Sequence, residues 1–243
     1  MYTLAIKKYL EEHGFEAMRP KAVLFDMDGV LYDSMPNHAI AWQESMAQLG
    51  LQMTADDAYA TEGARGIDTI RIMVKLQQKR DIDDAEAQRM YDLKSRIFHQ
   101  LPEAPVMPGI VELMRKIKDA GLQIGVVTGS GQRPLIQRIL SDFGAFVDEA
   151  HITTAYDVQR GKPAADPYLI GLKKAGRLSP NEAIVVENAP LGVRAGYAAR
   201  IFTVAVNTGP LPDEILLEAG ANLLFPSMQE FCDHWQELVA DNL

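Results

Sequence analysis

The segment KAVLFDMDGVLYDS, residues 21–34, runs four apolar residues into Asp26, adds a second carboxylate at Asp28 and follows it with Gly29. A carboxylate at the end of a buried strand is costly to desolvate unless a cation or a set of donors meets it. Two further apolar runs end in comparable groups. LQIGVVT closes on Thr128, with Gly129 and Ser130 next, and EAIVVEN closes on Glu187 and Asn188. Lys162 stands in the loop RGKPAADP, ahead of a helix. In open parallel sheets, ligands bind outside the carboxyl ends of the strands. Two carboxylates, a Glu/Asn pair, a hydroxyl with neighbouring amides and a lysine gathered there suit a phosphoryl group and a hard cation. Mg2+ takes oxygen ligands from one or two carboxylates and a substrate phosphate.

The elements that must position these groups follow from hydrophobic periodicity. Residues 1–20 read as a short helical extension ending at Pro20, packed on the domain or on a partner subunit. After the first strand, residues 37–104 carry helical patterns only. NHAIAWQESMAQLG starts at Asn37 as a cap, and IDTIRIMVKLQQKR and DAEAQRMYDLKSRIFHQ follow. LPEAPVMPG, with three prolines and a glycine, is a linker. From there strands and helices alternate to the C-terminus, which predicts an α/β fold with a doubly wound parallel sheet covered on both faces. The core is then 21–36 with 105–243, and the all-helical segment 37–104 is a small cap domain inserted after the first strand.

The bulk numbers narrow the partners. Of 243 residues, 47% are apolar and 23% charged, ordinary for a globular protein. A net charge of −9 argues against a nucleic-acid surface but leaves room for a local cationic site. The single cysteine, Cys232, forms no intrachain disulfide and reads as a packing residue in an amphipathic helix. The N-terminal run is broken by Lys7, Lys8, Glu11 and Glu12, so it is no signal-peptide core, and no apolar run is long enough for a bilayer. The expectation is a reduced, cytoplasmic protein with no nucleic-acid or membrane partner, a monomer or weak homodimer, acting on a small-molecule phosphate ester.

Four motifs in order carry a resemblance to the haloacid dehalogenase superfamily of aspartyl-phosphate enzymes: FDMDGVLYDS, VVTGS, Lys162-Pro163 and VVENAPLGVRAG. HAIAW and EGARGIDTI are similar to the β-phosphoglucomutase-like group within it. The resemblance implies a Rossmann-like core, Asp26 as nucleophile and Asp28 as general acid/base. It implies Mg2+ held by Asp26, the Asp28 backbone carbonyl and the Glu187/Asn188 pair. Thr128, the amides of Gly129 and Ser130, and Lys162 would hold phosphoryl oxygens. Asn188 departs from the family pattern, which has an aspartate there, so either Glu187 becomes the main carboxylate ligand or the metal is held more weakly. In the cap, His38 and Lys94 match residues of the mutases. The mutases' phosphate-gripping arginine aligns with Gly66, with Arg65 one position earlier. Trp42, one turn beyond His38, reads as core. Two reactions remain open, phosphatase and hexose-phosphate mutase. A metal-independent dehalogenase would not need the acid at Asp28. A binding or regulatory protein with a weakened site is the alternative outside catalysis.

Overall fold

The computed structural model describes residues 2–240. Six parallel strands form one sheet: β1 (Ala22–Phe25), β2 (Gln123–Val127), β3 (Ile152–Thr153), β4 (Ala183–Glu187), β5 (Phe202–Val206) and β6 (Leu223–Phe225). Their order is β3-β2-β1-β4-β5-β6. The chain winds outward from β1 through β2 to β3 and then returns to β4 on the other side of β1. This reversal opens a crevice at the carboxyl end of β1, the place where doubly wound sheets bind ligands.

Side-chain alternation along the strands divides the core into two layers. Val23, Phe25, Ile124, Val126, Ile184 and Val186 belong to one apolar cluster, with Trp235 and Tyr9. Leu24, Val127, Val185 and Tyr168 belong to the opposite one. The first layer is covered by α1 (Tyr2–His13), α6 (Ile110–Asp119), α7 (Arg133–Phe143) and α11 (Met228–Val239). The second is covered by α8 (Asp166–Lys174) and α9 (Pro190–Ala198), and α10 (Asp213–Glu218) packs near the β6 edge. With both faces covered, β1, β4 and β5 are buried throughout, which is why they read as continuous apolar runs. Cys232 is buried in α11. No helix among the described residues is long and apolar enough to cross a membrane.

The N-terminal extension packs on its own core. Tyr9 is fully buried, meets Phe202 edge to face and donates its hydroxyl to the Arg200 carbonyl at 3.0 Å. Four helices stand between β1 and α6: α2 (Met35–Gln48), α3 (Ala55–Ala60), α4 (Gly66–Gln78) and α5 (Asp84–Phe98). Their apolar faces form a separate cluster around Trp42, Met46, Ile70, Val74 and Met90. Helix α2 begins at Met35, two residues before the expected cap. Pro36 explains the shift, because its fixed φ and missing N–H suit the first turn of a helix. Asn37 therefore lies inside the helix, and its Nδ2 donates to the Pro102 carbonyl at 2.7 Å. The short α3 is set by a capping box between Thr54 and Asp57.

Candidate active site

Asp26 is the first residue past β1, and its amide donates to the Val186 carbonyl of β4 at 3.0 Å. The adjacent strands thus fix its backbone. Lys162 reaches it from the loop before α8. The ammonium donates to Asp26 Oδ1 at 2.5 Å, to Glu187 Oε1 at 2.7 Å and to the Val127 carbonyl at 3.0 Å. Its three protons thus have three acceptors. Burial works to lower the Lys162 pKa, but the Asp26 and Glu187 charges overcome it and raise it. Burial, with the Glu187 and Asp28 charges behind it, pushes Asp26 up to about 7 against the pull of Lys162.

Both oxygens of Glu187, expected from the sequence as a candidate metal ligand, meet donors. Oε1 accepts from Lys162 and, at 2.6 Å, from the Tyr168 hydroxyl, and Oε2 accepts from the amides of Asn188 and Ala189 at 3.1 and 3.4 Å. A carboxylate is favoured there, at the start of α9. The room comes from Gly192 in the first turn of α9, where a Cβ would lie 1.8 Å from Glu187 Oε1. Glu187 thus anchors the lysine. Tyr168 was not anticipated, because its contact depends on how α8 packs on the sheet and leaves no local pattern.

Asn188 lies across from Gly29. The glycine has φ +78°, and a Cβ would come within 1.9 Å of Asn188 Nδ2, so two independent reasons require glycine. Asn188 Oδ1 and Asp26 Oδ2 are both buried with no hydrogen-bond partner. Buried polar atoms are normally paired, so two neighbouring motifs each leaving an oxygen unmatched is a meaningful exception. Oxygen-only donors suit a hard divalent cation. Among the described residues no three His, Cys, Asp or Glu side chains form a metal-holding group. The residues that would hold a cation here are Asp26 and Asn188, each through its unpartnered side-chain oxygen.

Asp28 is tied to the helical insert. Ser34 Oγ donates to its Oδ1 at 2.6 Å, and His38 Nε2 stands 3.1 Å from the same oxygen. Lys94 Nζ lies 2.6 Å from His38 Nδ1. An ammonium only donates, so Nδ1 accepts and the Nε2 proton faces Asp28, which fixes one neutral tautomer. Burial and Lys94 lower the His38 pKa in agreement. Burial works to raise Asp28, but the His38 and Ser34 contacts and the Lys94 charge leave it lowered. Lys94 is itself buried, 5.2 Å over the Trp42 ring and 4.8 Å over Phe98, and burial pulls its pKa down to about 8.

These groups meet in a cavity of about 40 Å3 between the sheet and the insert. Asp26, Asp28, His38, Lys94, Gly129 and Ser130 line it, whereas Thr128, Lys162, Glu187 and Asn188 are buried around it. The Ser130 amide, expected to face a phosphoryl oxygen, donates instead to Thr128 Oγ1 at 3.0 Å. Arg65 departs from expectation too. It is paired with Asp68 at 2.7 Å, as three-residue helical spacing favours, and lines a separate outer cleft of about 460 Å3. The cap loop brings Glu62 into the cavity in its place. Burial and the Asp28 and Asp26 charges raise the Glu62 pKa well above the carboxylate range. The signal was present in EGARG, where a carboxylate precedes a glycine that lets the loop approach closely. Gly63 has φ +84°, and its carbonyl would lie 2.9 Å from a Cβ on Gly129, so loop and core meet backbone to backbone.

Comparison with known proteins agrees with this geometry. Residues 20–200 match the model of the haloacid dehalogenase-like hydrolases. Hexitol phosphatase A of Escherichia coli is 34% identical over 190 residues, 78% of this chain and 84% of that protein. Beta-phosphoglucomutase of Bacillus subtilis is 30% identical over 200 residues, with the same coverages. A provisionally assigned beta-phosphoglucomutase from Bacteroides vulgatus has a solved structure that superposes with a TM-score of 0.95 at 47% identity, covering 99% of this chain and 98% of that one. With the family model spanning residues 20–200, most of the chain, the chain belongs to the haloacid dehalogenase-like hydrolase family.

Proposed function

We propose that this chain is a Mg2+-dependent phosphomonoester hydrolase that passes the phosphoryl group of a small sugar or polyol phosphate through an aspartyl phosphate on Asp26. The observation that carries the reading is the state of the Asp26 carboxylate. One oxygen is held by Lys162, the other is buried and unpartnered, and the side chain lines the cavity. Asp26 attacks phosphorus and the bond to the alcohol oxygen breaks. Asp28 gives that oxygen a proton, then takes one from the water that attacks the aspartyl phosphate, releasing phosphate and restoring Asp26. The negative charge of the phosphate raises the Asp28 pKa from its low resting position toward the range where it carries a proton. The His38 contact orients Asp28. Lys162, held by Glu187, keeps Asp26 in line. Mg2+ on Asp26, Asn188 and the Asp28 carbonyl would neutralise charge between nucleophile and phosphate.

Hydrolysis is favoured over internal transfer because a mutase needs a cationic grip on a second phosphate. Arg65 faces the outer cleft, and Lys94, the one ammonium from the insert lining the cavity, is bonded to His38. The mutase reading retains the Asp28–His38–Lys94 chain, in which His38 and Lys94 resemble residues of the mutases. The relatives' names include both activities. The test is turnover of p-nitrophenyl phosphate and of sugar phosphates with Mg2+, for the parent and Asp26→Asn. The parent should release phosphate and the folded variant should not. Substantial metal-dependent turnover by Asp26→Asn would sink the mechanism, and no turnover by the parent would favour a binding protein. Isomerisation stimulated by glucose 1,6-bisphosphate would mark a mutase.

A further inference from the structure

We propose that Glu62 is the specificity-determining residue of this site: its carboxyl group reads a hydroxyl of the substrate and disfavours any ligand that places a second phosphate in the cavity. The inference rests on the hydrolase reading above and deepens it. Glu62 comes from the loop between α3 and α4 and lines the same cavity as Asp26 and Asp28. The loop is held over the chemistry. A Cβ on Gly63 would lie 3.2 Å from Lys162 Cδ and 3.5 Å from the Gly192 amide, and the Gly63 carbonyl abuts Gly129. The residue beside Gly63 therefore faces whatever is bonded to the phosphoryl group.

The surrounding polar groups leave this task to Glu62. Lys94 is bonded to His38, and His38 to Asp28. The Gln132 side chain, on the opposite wall, is shared among His99, Ser95 and Tyr91. Glu62 forms no ion pair and no side-chain hydrogen bond among the described residues. A carboxyl group held near Asp26 and Asp28, with the Lys94 charge alone set against them, is unfavourable by itself. A neutral polyhydroxylated ligand corrects this, because a hydroxyl gives it a donor. A second phosphate brings only further acceptors and like charge, which is discrimination by an unfavourable element as well as by a favourable one. The substrate class is thus the monophosphate of a neutral polyol or sugar, and sugar bisphosphates are excluded.

The experiment compares kcat and KM for sorbitol 6-phosphate, fructose 1,6-bisphosphate and p-nitrophenyl phosphate in the parent, Glu62→Leu, Glu62→Gln and Glu62→Lys, all with Mg2+. In the parent, kcat/KM for the monophosphate should exceed that for the bisphosphate at least 100-fold. Glu62→Leu should lower kcat/KM for sorbitol 6-phosphate at least tenfold, mainly through KM, and Glu62→Gln should restore most of it. Glu62→Lys should shrink the preference over the bisphosphate at least tenfold. An unchanged ratio in all three folded variants, or equal losses in kcat for all three substrates with KM constant, would overturn the proposal while leaving the hydrolase reading intact. Absence of Asp26-dependent phosphate release from every substrate would remove the hydrolase reading itself.

Discussion

At the level of single residues, the site joins groups whose locations the sequence announces to groups it conceals. Asp26, Thr128, Glu187 and Asn188 were legible because each ends an apolar run, and a sheet closed on both faces leaves only strand ends for polar chemistry. The direction of a side chain was not legible. Asp68 draws Arg65 away, and Lys162 and Tyr168 both donate to Glu187 Oε1. This yields a paired expectation for the metal. Asn188→Asp adds a charge next to an unmatched buried oxygen and should tighten Mg2+ about tenfold, equivalent to about 1.4 kcal/mol. Glu187→Gln should lower kcat while changing the Mg2+ dependence much less. Titration of activity against Mg2+ checks both, and a larger loss of affinity in Glu187→Gln would return Glu187 to the metal. Lys94 carries a second expectation. A lysine whose folded pKa lies at about 8, below the ordinary 10.5, binds fewer protons folded than unfolded between those values. Stability of the parent should therefore rise with pH across that window relative to Lys94→Met. At pH 7 the methionine variant should be less stable by about 3–5 kcal/mol, since removing one partner leaves the Asp28 charge and the His38 Nδ1 acceptor uncompensated. Urea melts from pH 7 to 10.5 measure this, and a parent whose advantage shrinks with rising pH would refute it.

Among the elements, the six strands and the helical insert followed their apolar patterns, whereas the strand order with its reversal at β1 leaves no pattern in the sequence. The short α3 was not separately legible, because six residues give too little periodicity and its capping box does the work. The role of α9 was hidden too, since the absence of a side chain at Gly192 matters only once β4 and α9 are packed together. Its importance can be tested directly. Gly192→Ala has no backbone penalty in a helix, yet its methyl would overlap Glu187 Oε1 and push the carboxylate off Lys162. A displacement of about 1 Å in a catalytic group typically costs about 100-fold. The expected result is a loss in kcat of that order in a variant that remains folded by circular dichroism. Near-parental kcat would show that the lysine does not depend on this anchor.

Across the whole molecule, one chain of packing runs from the N-terminus to the site's foundation. Tyr9 fills the space beside Phe202 in β5, and β5 pairs with β4. Tyr9→Ala should therefore lower stability by about 3–5 kcal/mol, the usual range for truncating a buried aromatic. Urea denaturation would register it, and a change below about 1 kcal/mol would mean α1 is an appendage. The cavity over Asp26 is narrow, about 40 Å3, and the loop that carries Gly63 packs against the core beside it. The closing contact between Gly63 and Gly129 is made by main chain. Main-chain shape does not change when neighbouring side chains are replaced. The seal and the recognition surface are accordingly separable in descent: mutations at Glu62 can retune which ester is accepted while the main-chain contact beside Asp26 is inherited, and a lineage can explore new substrates without first rebuilding that contact.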